Sequence, residues 1–188
     1  MEGNLERKKE ITGIFLKTFM EKGLSETSTR DLSNAINLQS GALYYYFSSK
    51  DEAVVACAEE AAVQIENKLF SVALRMCEQP KAMFEELIPI ASNLSSTMKF
   101  FTQVSSTPKY RKSMDSILLR LSLRYRYYSK KIAEKYNWKV EDIEPYVYIS
   151  ITAIANYMIF EEECYIEPQI NYVINRLEER LGNKNNET

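Results

Sequence analysis

The stretch LQSGALYYYFSSKDE, which begins at Leu38, concentrates side chains that can form hydrogen bonds. Gln39 and Ser40 carry donors and acceptors of the kind that contact base edges in a DNA groove. The phenols of Tyr44 and Tyr45 can bond to phosphate oxygens while their rings pack on sugars or thymine methyl groups. This combination of residue types favours nucleic-acid binding over catalysis.

Gly41 lies between the amide and the tyrosines of this stretch. It has no side chain, so a phosphate backbone or a base edge can approach its main chain closely. A second interpretation is that the aromatic run is core, because aromatic clusters are more often buried than exposed. In either interpretation we expect Tyr46 and Phe47 to face inward.

One capping pattern before this stretch and another at its end predict the helices that position it. Ser28 to Asp31 fits [ST]-x-x-[DE], which marks the start of a short helix, and Asn37 tolerates the positive φ of a following turn. Ser49 to Glu52 fits the same pattern and opens a long helix. A short helix, a tight turn and a second short helix, running from about Gln39, form a helix-turn-helix, whose second helix enters the DNA major groove.

The residues expected to contact DNA therefore lie at the two helix starts and on the second helix. Hydroxyl groups and free N–H groups before the first helix face phosphate, and a lysine at the start of the long helix contacts the backbone. These residues are Thr27, Ser28, Thr29, Arg30, Gln39, Ser40, Gly41, Ala42, Tyr44, Tyr45 and Lys50.

The composition argues against an enzyme. The chain has no histidine, which excludes a Ser-His-Asp triad, a Cys-His pair and every histidine-based metal site. Its three cysteines, Cys57, Cys77 and Cys164, match neither a zinc spacing nor a disulfide framework, so we expect buried or semi-buried thiols. We expect no catalytic residues, no metal and no cofactor.

Hydropathy and breaker residues predict the fold class. No uncharged apolar run approaches the ~20 residues of a membrane span, and the N-terminus lacks a signal-peptide core, so we expect a cytoplasmic protein without a membrane partner. Only five glycines and five prolines interrupt the 188 residues. The pattern predicts an all-α fold of about nine helices, with a helix-turn-helix domain over residues 1–50 and a helical domain over residues 51–188.

Charge is unevenly distributed along the second half of the chain. Lys109 to Lys139 holds ten Lys/Arg and two acids, whereas Glu141 to Glu167 holds seven acids and no Lys or Arg. The basic segment could attract a nucleic acid or another anion. We favour the alternative, in which the two segments are mutually attracting helices or solvated faces.

Residues 11–54 resemble the DNA-binding domain of the TetR family of bacterial transcriptional regulators. The sequence differs from the usual family pattern at three positions. Asn37 stands where glycine is usual, Gln39 where serine or threonine is common, and Ala42 where threonine is frequent. The residues that carry the resemblance are Phe19, Lys22, Gly23, Leu24, Thr27, Ser28, Thr29, Arg30, Asp31, Leu32, Ala35, Gly41, Leu43, Tyr44, Tyr45, Tyr46, Phe47, Ser49, Lys50, Asp51 and Glu52.

The resemblance implies a homodimeric repressor that a small molecule releases from a palindromic operator of double-stranded DNA. It places the dimer interface on the last two long helices, about residues 143–163 and 168–181, and an unidentified effector in the C-terminal domain. For the effector pocket we select Phe101, Tyr125 and Tyr157 among many aromatics. The alternative is an interaction protein whose helix-turn-helix has lost operator binding, which the net charge of +1 over residues 1–50 keeps open.

Overall fold

A computed structural model of the chain describes residues 2–39, 41, 43–73 and 75–184. Within these ranges the chain forms nine α-helices, two short 3-10 helices and no β-strand, which confirms the predicted all-α fold. The α-helices are α1 (Glu2–Lys22), α2 (Thr29–Ala35), α3 (Leu43–Tyr46), α4 (Lys50–Ala73), α5 (Pro80–Asn93), α6 (Ser95–Ser106), α7 (Arg111–Tyr136), α8 (Val140–Phe160) and α9 (Glu167–Lys184). The 3-10 helices are Pro108–Tyr110 and Glu163–Tyr165. No helix within the described ranges is long and apolar enough to cross a membrane.

Two helix ends differ from the sequence-based expectation. The second helix of the helix-turn-helix begins at Leu43, later than the predicted start near Gln39. α8 ends at Phe160, three residues before the predicted end, because Glu161 adopts a left-handed φ of 59°. The N–H of Glu161 then bonds to the carbonyl of Tyr157 at 2.7 Å, which satisfies one of the last carbonyls of the helix.

The chain divides into two compact units. The first comprises residues up to Gln64 together with Thr97–Ile117, and the second comprises Ile65–Ser96 and the residues from Leu118 onward. The division falls within α4, α6 and α7, so these helices contribute to both units. The domain boundary expected after residue 50 stays a prediction.

Aromatic rings fill the core of the first unit. The ring centroids of Phe15 and Phe47 lie 5.7 Å apart, and those of Phe19 and Phe100 lie 5.6 Å apart. Leu43 is fully buried with them. Burial of such side chains is the main force that holds short helices like α2 and α3 in place, since isolated helices of this length are unstable in water.

α5, α8 and α9 pack together in the second unit. Their buried side chains include Leu87, Ile154 and Val173. The hydroxyl of Ser95 donates to the carbonyl of Met158 at 2.6 Å, which ties the start of α6 to α8.

The cysteines are partly as expected. Cys57 and Cys77 are buried, and burial raises the pKa of the Cys77 thiol to about 12. Cys164 is exposed, which differs from the prediction, because it lies in the short 3-10 helix between α8 and α9.

Candidate nucleic-acid interface

Ser28 caps the first helix of the predicted helix-turn-helix, as its sequence pattern indicates. Its hydroxyl accepts the Asp31 N–H at 3.2 Å, and the Asp31 carboxylate accepts the Ser28 N–H at 2.8 Å. This reciprocal pair is the predicted capping box, and it satisfies two N–H groups that a helix start leaves open. The box fixes where α2 begins.

Lys22 at the end of α1 holds the same carboxylate from the other side. Its ammonium nitrogen lies 2.5 Å from Oδ1 of Asp31. The hydrogen bond from Lys22, followed by those from Ser28, lowers the pKa of Asp31 well below its ordinary value. α1 and α2 are therefore joined by an ion pair as well as by buried contacts.

Two residues with positive φ shape the connection from α2 to α3. Asn37 has a φ of 55°, and the N–H of Leu38 bonds to the carbonyl of Ser33 at 3.1 Å. Gly41 has a φ of 107°, in a region that side chains rarely adopt. A Cβ atom added at Gly41 would meet no atom within 4 Å, so crowding does not explain the glycine. The backbone conformation of Gly41 explains it.

α3 presents its tyrosines to solvent and its other large side chains to the core. Tyr44 and Tyr45 are 59% and 75% exposed, while Leu43 and Phe47 are buried. Tyr46 is half-buried, and its ring meets that of Tyr45 edge-on with centroids 4.9 Å apart. Two phenols therefore project from a helix whose other side is anchored, which is the arrangement a DNA-reading helix requires.

The other predicted DNA contacts fall into three groups. Ser28, Arg30, Gln39 and Gly41 are exposed, and Thr29 is half-buried at the start of α2. Ser40 and Ala42 lie outside the described residues, so their expected contacts stay predictions.

Thr27 and Lys50 hold the local fold instead of projecting freely. Thr27 is fully buried, and its hydroxyl donates to the carbonyl of Gly23 at 2.7 Å. That placement differs from the expectation of a phosphate contact, because the side chain closes the loop after α1. The ammonium group of Lys50 donates to the carbonyl of Leu24 over 3.4 Å. A hydrogen bond of this length is weak, so a nearby phosphate would compete with the carbonyl for the ammonium group.

The predicted capping box at the start of α4 is half present, since the N–H of Glu52 bonds to the Ser49 hydroxyl at 3.1 Å. The carboxylate of Glu52 accepts the N–H of Ser48 at 2.7 Å, one residue before the expected serine, and sequence reasoning also missed Lys8. Lys8 of α1 lies 3.1 Å from the other carboxylate oxygen. These bonds, those from Ser48 first, lower the pKa of Glu52 to about 2.

A second missed contact fixes the start of α4 from a distant segment. The phenol of Tyr110 donates to Asp51 at 3.0 Å, and the ammonium of Lys109 lies 2.7 Å from the same oxygen. Burial raises the pKa of Tyr110 to about 12, so the phenol stays a donor. No local pattern signals this pairing, because the partners are almost sixty residues apart.

Ion pairing leaves few free cations near α2 and α3. Lys8 and Lys22 are occupied as described, and Arg7 pairs with a neighbouring glutamate at 2.6 Å. Lys9 and Arg30 make no ion pair among the side chains that the structure describes. A DNA contact at this surface would therefore depend on placement and helix-end dipoles more than on net charge.

The structure does not bring the three predicted pocket residues into one unit. Phe101 is buried in the first unit, whereas Tyr125 and Tyr157 belong to the second. Burial raises the pKa of Tyr125. The hydroxyl of Tyr157 lies 3.0 Å from that of Ser92, and its side chain lines a groove of about 400 Å³.

Residues 16–57 match the family described as bacterial regulatory proteins, tetR family. Over 52 residues the chain is 38% identical to the HTH-type transcriptional repressor KstR2 of Rhodococcus jostii (strain RHA1). That segment covers 28% of this chain and 26% of the relative, so the match spans about a quarter of each protein.

The family match covers α2, α3 and the start of α4, which are the elements whose geometry is described above. It confirms the resemblance that the residues indicate. The N-terminal segment of the chain is therefore similar to the DNA-binding helix-turn-helix domain of bacterial transcriptional regulators of the tetR family.

Proposed function

We propose that this protein is a homodimeric repressor that binds a palindromic DNA operator through α2 and α3 and leaves it when a small molecule binds the second unit. The observation that carries the proposal is the exposed pair Tyr44 and Tyr45 on a helix anchored by Leu43 and Phe47. Such a pair has no role in the core of its own unit. It supplies phenols for phosphate and flat rings for sugars and bases.

The contacts to DNA divide by role. Ser28, Thr29 and Arg30 lie at the start of α2, where free N–H groups and a cation suit phosphate. Gln39 and Tyr44 belong to the segment that enters the major groove, where base edges are read. Thr27 and Lys50 position this surface through their bonds to loop carbonyls.

A palindromic operator requires two copies of this surface. Recognition helices of a two-fold dimer must lie about 34–36 Å apart to enter successive major grooves. α8 has the composition of an interface helix, because it carries no charged residue from Pro145 to Phe160. Val147, Ile154 and Met158 are buried within the subunit, whereas Tyr148 and Phe160 are 62% and 52% exposed, so part of the apolar surface of α8 is left for a second copy. The family resemblance places α9 beside α8 in this interface.

The second unit offers a place for an effector. The groove beside Tyr157 has an apolar floor that includes the buried side chains of Phe84 and Ile170. Its volume of about 400 Å³ falls in the range of small-molecule sites, ~300–1,000 Å³. α4 contributes residues to both units, so a ligand that shifts α4 would change the placement of the DNA-binding surface and weaken binding, typically by ~1–3 kcal/mol of coupling.

The proposal is tested by selecting genomic DNA fragments with the purified full-length protein and extracting the enriched motif. We expect a palindrome with half-site centres about one helical turn apart. A folded, dimeric protein that enriches no sequence would favour the interaction-protein alternative. Small molecules that raise the thermal unfolding temperature are then added to the operator complex, and strengthened binding in place of release would contradict a ligand-released repressor.

A further inference from the structure

We propose that the groove beside Tyr157 binds an amphipathic organic cation, an apolar body that carries a protonated amine or a quaternary ammonium group. This inference rests on the proposed function, because it names the chemical class of the effector that the second unit would take. The groove lies among α5, α8 and α9 and has a volume of about 400 Å³. Its described lining residues all belong to the second unit.

The floor and walls of the groove are apolar. Phe84 of α5, Ile166 just before α9 and Ile170 within α9 are buried. Ile88 and Ile174 also line the groove and are half-buried. A ligand that covers these side chains removes apolar surface from water, which favours binding in sites of this kind. The groove therefore suits a ligand with an apolar body.

The charged side chains that line the groove are mostly acids. Glu85 lies on α5, Glu163 in the 3-10 helix between α8 and α9, and Glu167 at the start of α9. Lys81, one turn before Glu85 on α5, is the one cation among the described lining residues. Three carboxylates against one ammonium leave the groove with an excess of two negative charges.

The carboxylates of the groove are not neutralised by their own subunit. Glu85, Glu163 and Glu167 make no ion pair and accept no side-chain hydrogen bond among the side chains that the structure describes. By contrast, the next acid of α5, Glu86, does not line this groove and pairs with Arg75 at 2.8 Å. The unpaired carboxylates attract a cationic ligand and repel an anionic one.

Aromatic rings are a second feature that favours a cation. The hydroxyl of Tyr157 lies 3.0 Å from that of Ser92, which holds the tyrosine ring at the groove. Phe160 and Tyr165, on either side of Glu163 in the chain, stack with ring centroids 4.6 Å apart, and both are exposed. The face of an aromatic ring attracts an ammonium group. Rings and unpaired carboxylates in one short segment supply the groups that recognise such a ligand.

The test compares three probes that share an octyl chain and differ in the charge of the head group. Octyltrimethylammonium, octanoate and 1-octanol are each titrated into the purified full-length protein by isothermal titration calorimetry. We expect the cation to bind at least about threefold more tightly than 1-octanol, and octanoate to bind more weakly than 1-octanol. The preference for the cation should shrink between ~10 mM and ~1 M salt, since salt screens exposed charges.

Two double variants show whether the carboxylates of the groove cause this preference. Glu85→Gln with Glu163→Gln should weaken binding of the cation by about three- to tenfold and leave the affinity for 1-octanol unchanged. Glu86→Gln with Glu178→Gln is the matched control, because it makes the same change in net charge at exposed acids that do not line the groove. Glu167 is left in place because a carboxylate in the first turn also stabilises α9.

A third variant shows whether the probes bind in the groove itself. Ile88→Trp fills the groove and should weaken the binding of the cation and of 1-octanol alike. Circular dichroism checks that every variant keeps the helix content of the wild type. Wild-type affinity for the cation in Ile88→Trp or in the Glu85 and Glu163 variant overturns the inference. Tighter binding of octanoate, or no binding of the cation to the wild type, overturns it too.

The outcomes separate this inference from the proposed function. The cation is added last to the complex of the protein with its selected DNA. A cation that binds the groove and leaves operator affinity unchanged supports the site and contradicts the ligand release of the proposed function. Release by an anionic or neutral molecule, with the same response in the Glu85 and Glu163 variant, overturns the cationic class and leaves a ligand-released repressor in place.

Discussion

Phe47 lies against Phe15 with ring centroids 5.7 Å apart, whereas Tyr45, two residues earlier in the same aromatic run, is 75% exposed. The run therefore divides between core and surface. The inward rings hold α3 against α1, and the outward rings are available to a partner.

Replacing an inward ring should cost stability that replacing an outward ring does not. Phe47→Ala should destabilise the protein by about 3–5 kcal/mol, because it removes a buried aromatic side chain and leaves a cavity. Tyr45→Ala, the matched control on the same helix, should stay within about 0.5 kcal/mol of the wild type. Urea unfolding followed by circular dichroism measures both, and equal losses would show that the run is uniformly core.

Tyr44→Ala should abolish operator binding while helix content and dimerisation stay unchanged. The side chain is 59% exposed, so its loss removes a contact to DNA and little packing in its own unit. Tyr165→Ala, at an exposed tyrosine of the second unit, serves as the control. Fluorescence anisotropy with a labelled operator measures affinity, and a wild-type dissociation constant for Tyr44→Ala would refute the role given to the tyrosines.

Ser28→Ala should weaken the start of α2. Loss of the cap leaves the Asp31 N–H without its acceptor and typically costs about 0.5–2 kcal/mol of stability. Ser28→Asn should retain most of the stability, since asparagine is an equally good cap. Operator affinity should fall further for the alanine variant than for the asparagine variant, and the opposite order would contradict the capping role.

The lowered pKa of Glu52 predicts a contribution to acid stability. Because the folded-state pKa is about 2 and the unfolded value is ~4.3, the carboxylate stabilises the fold above pH ~4.3, and this contribution is lost as pH falls toward 2. Glu52→Gln should remove it, so the difference in urea midpoint between the two proteins should shrink on acidification. The comparison is made at about pH 6, above this titration, and at about pH 3, within it. A difference in urea midpoint that is the same at both pH values would contradict the Ser48 and Lys8 contacts.

Local patterns predicted much of the geometry of the helix-turn-helix segment. The capping box of Ser28 and Asp31, the positive φ of Asn37 and the inward placement of Phe47 each depend on residues within a few positions of one another. The periodicity of apolar residues is a local signal too, which is why the all-α fold was predictable.

Contacts between distant segments could not be predicted in the same way. Asp51 is held by Lys109 and Tyr110, and nothing near Asp51 in the sequence indicates those partners. The buried hydroxyl of Thr27 is a similar case, because a threonine before a helix has the same pattern whether it faces solvent or core. Aromatic content likewise gave no means of knowing that Phe101 belongs to the first unit.

The most direct test of a sequence-specific DNA-binding dimer is an equilibrium titration at near-physiological salt. The full-length protein is titrated onto its selected site and onto a shuffled duplex of the same length and composition. We expect the selected site to bind at least ~10³-fold more tightly than the shuffled duplex, as specific regulators do. Equal affinity for the two duplexes would contradict sequence-specific binding.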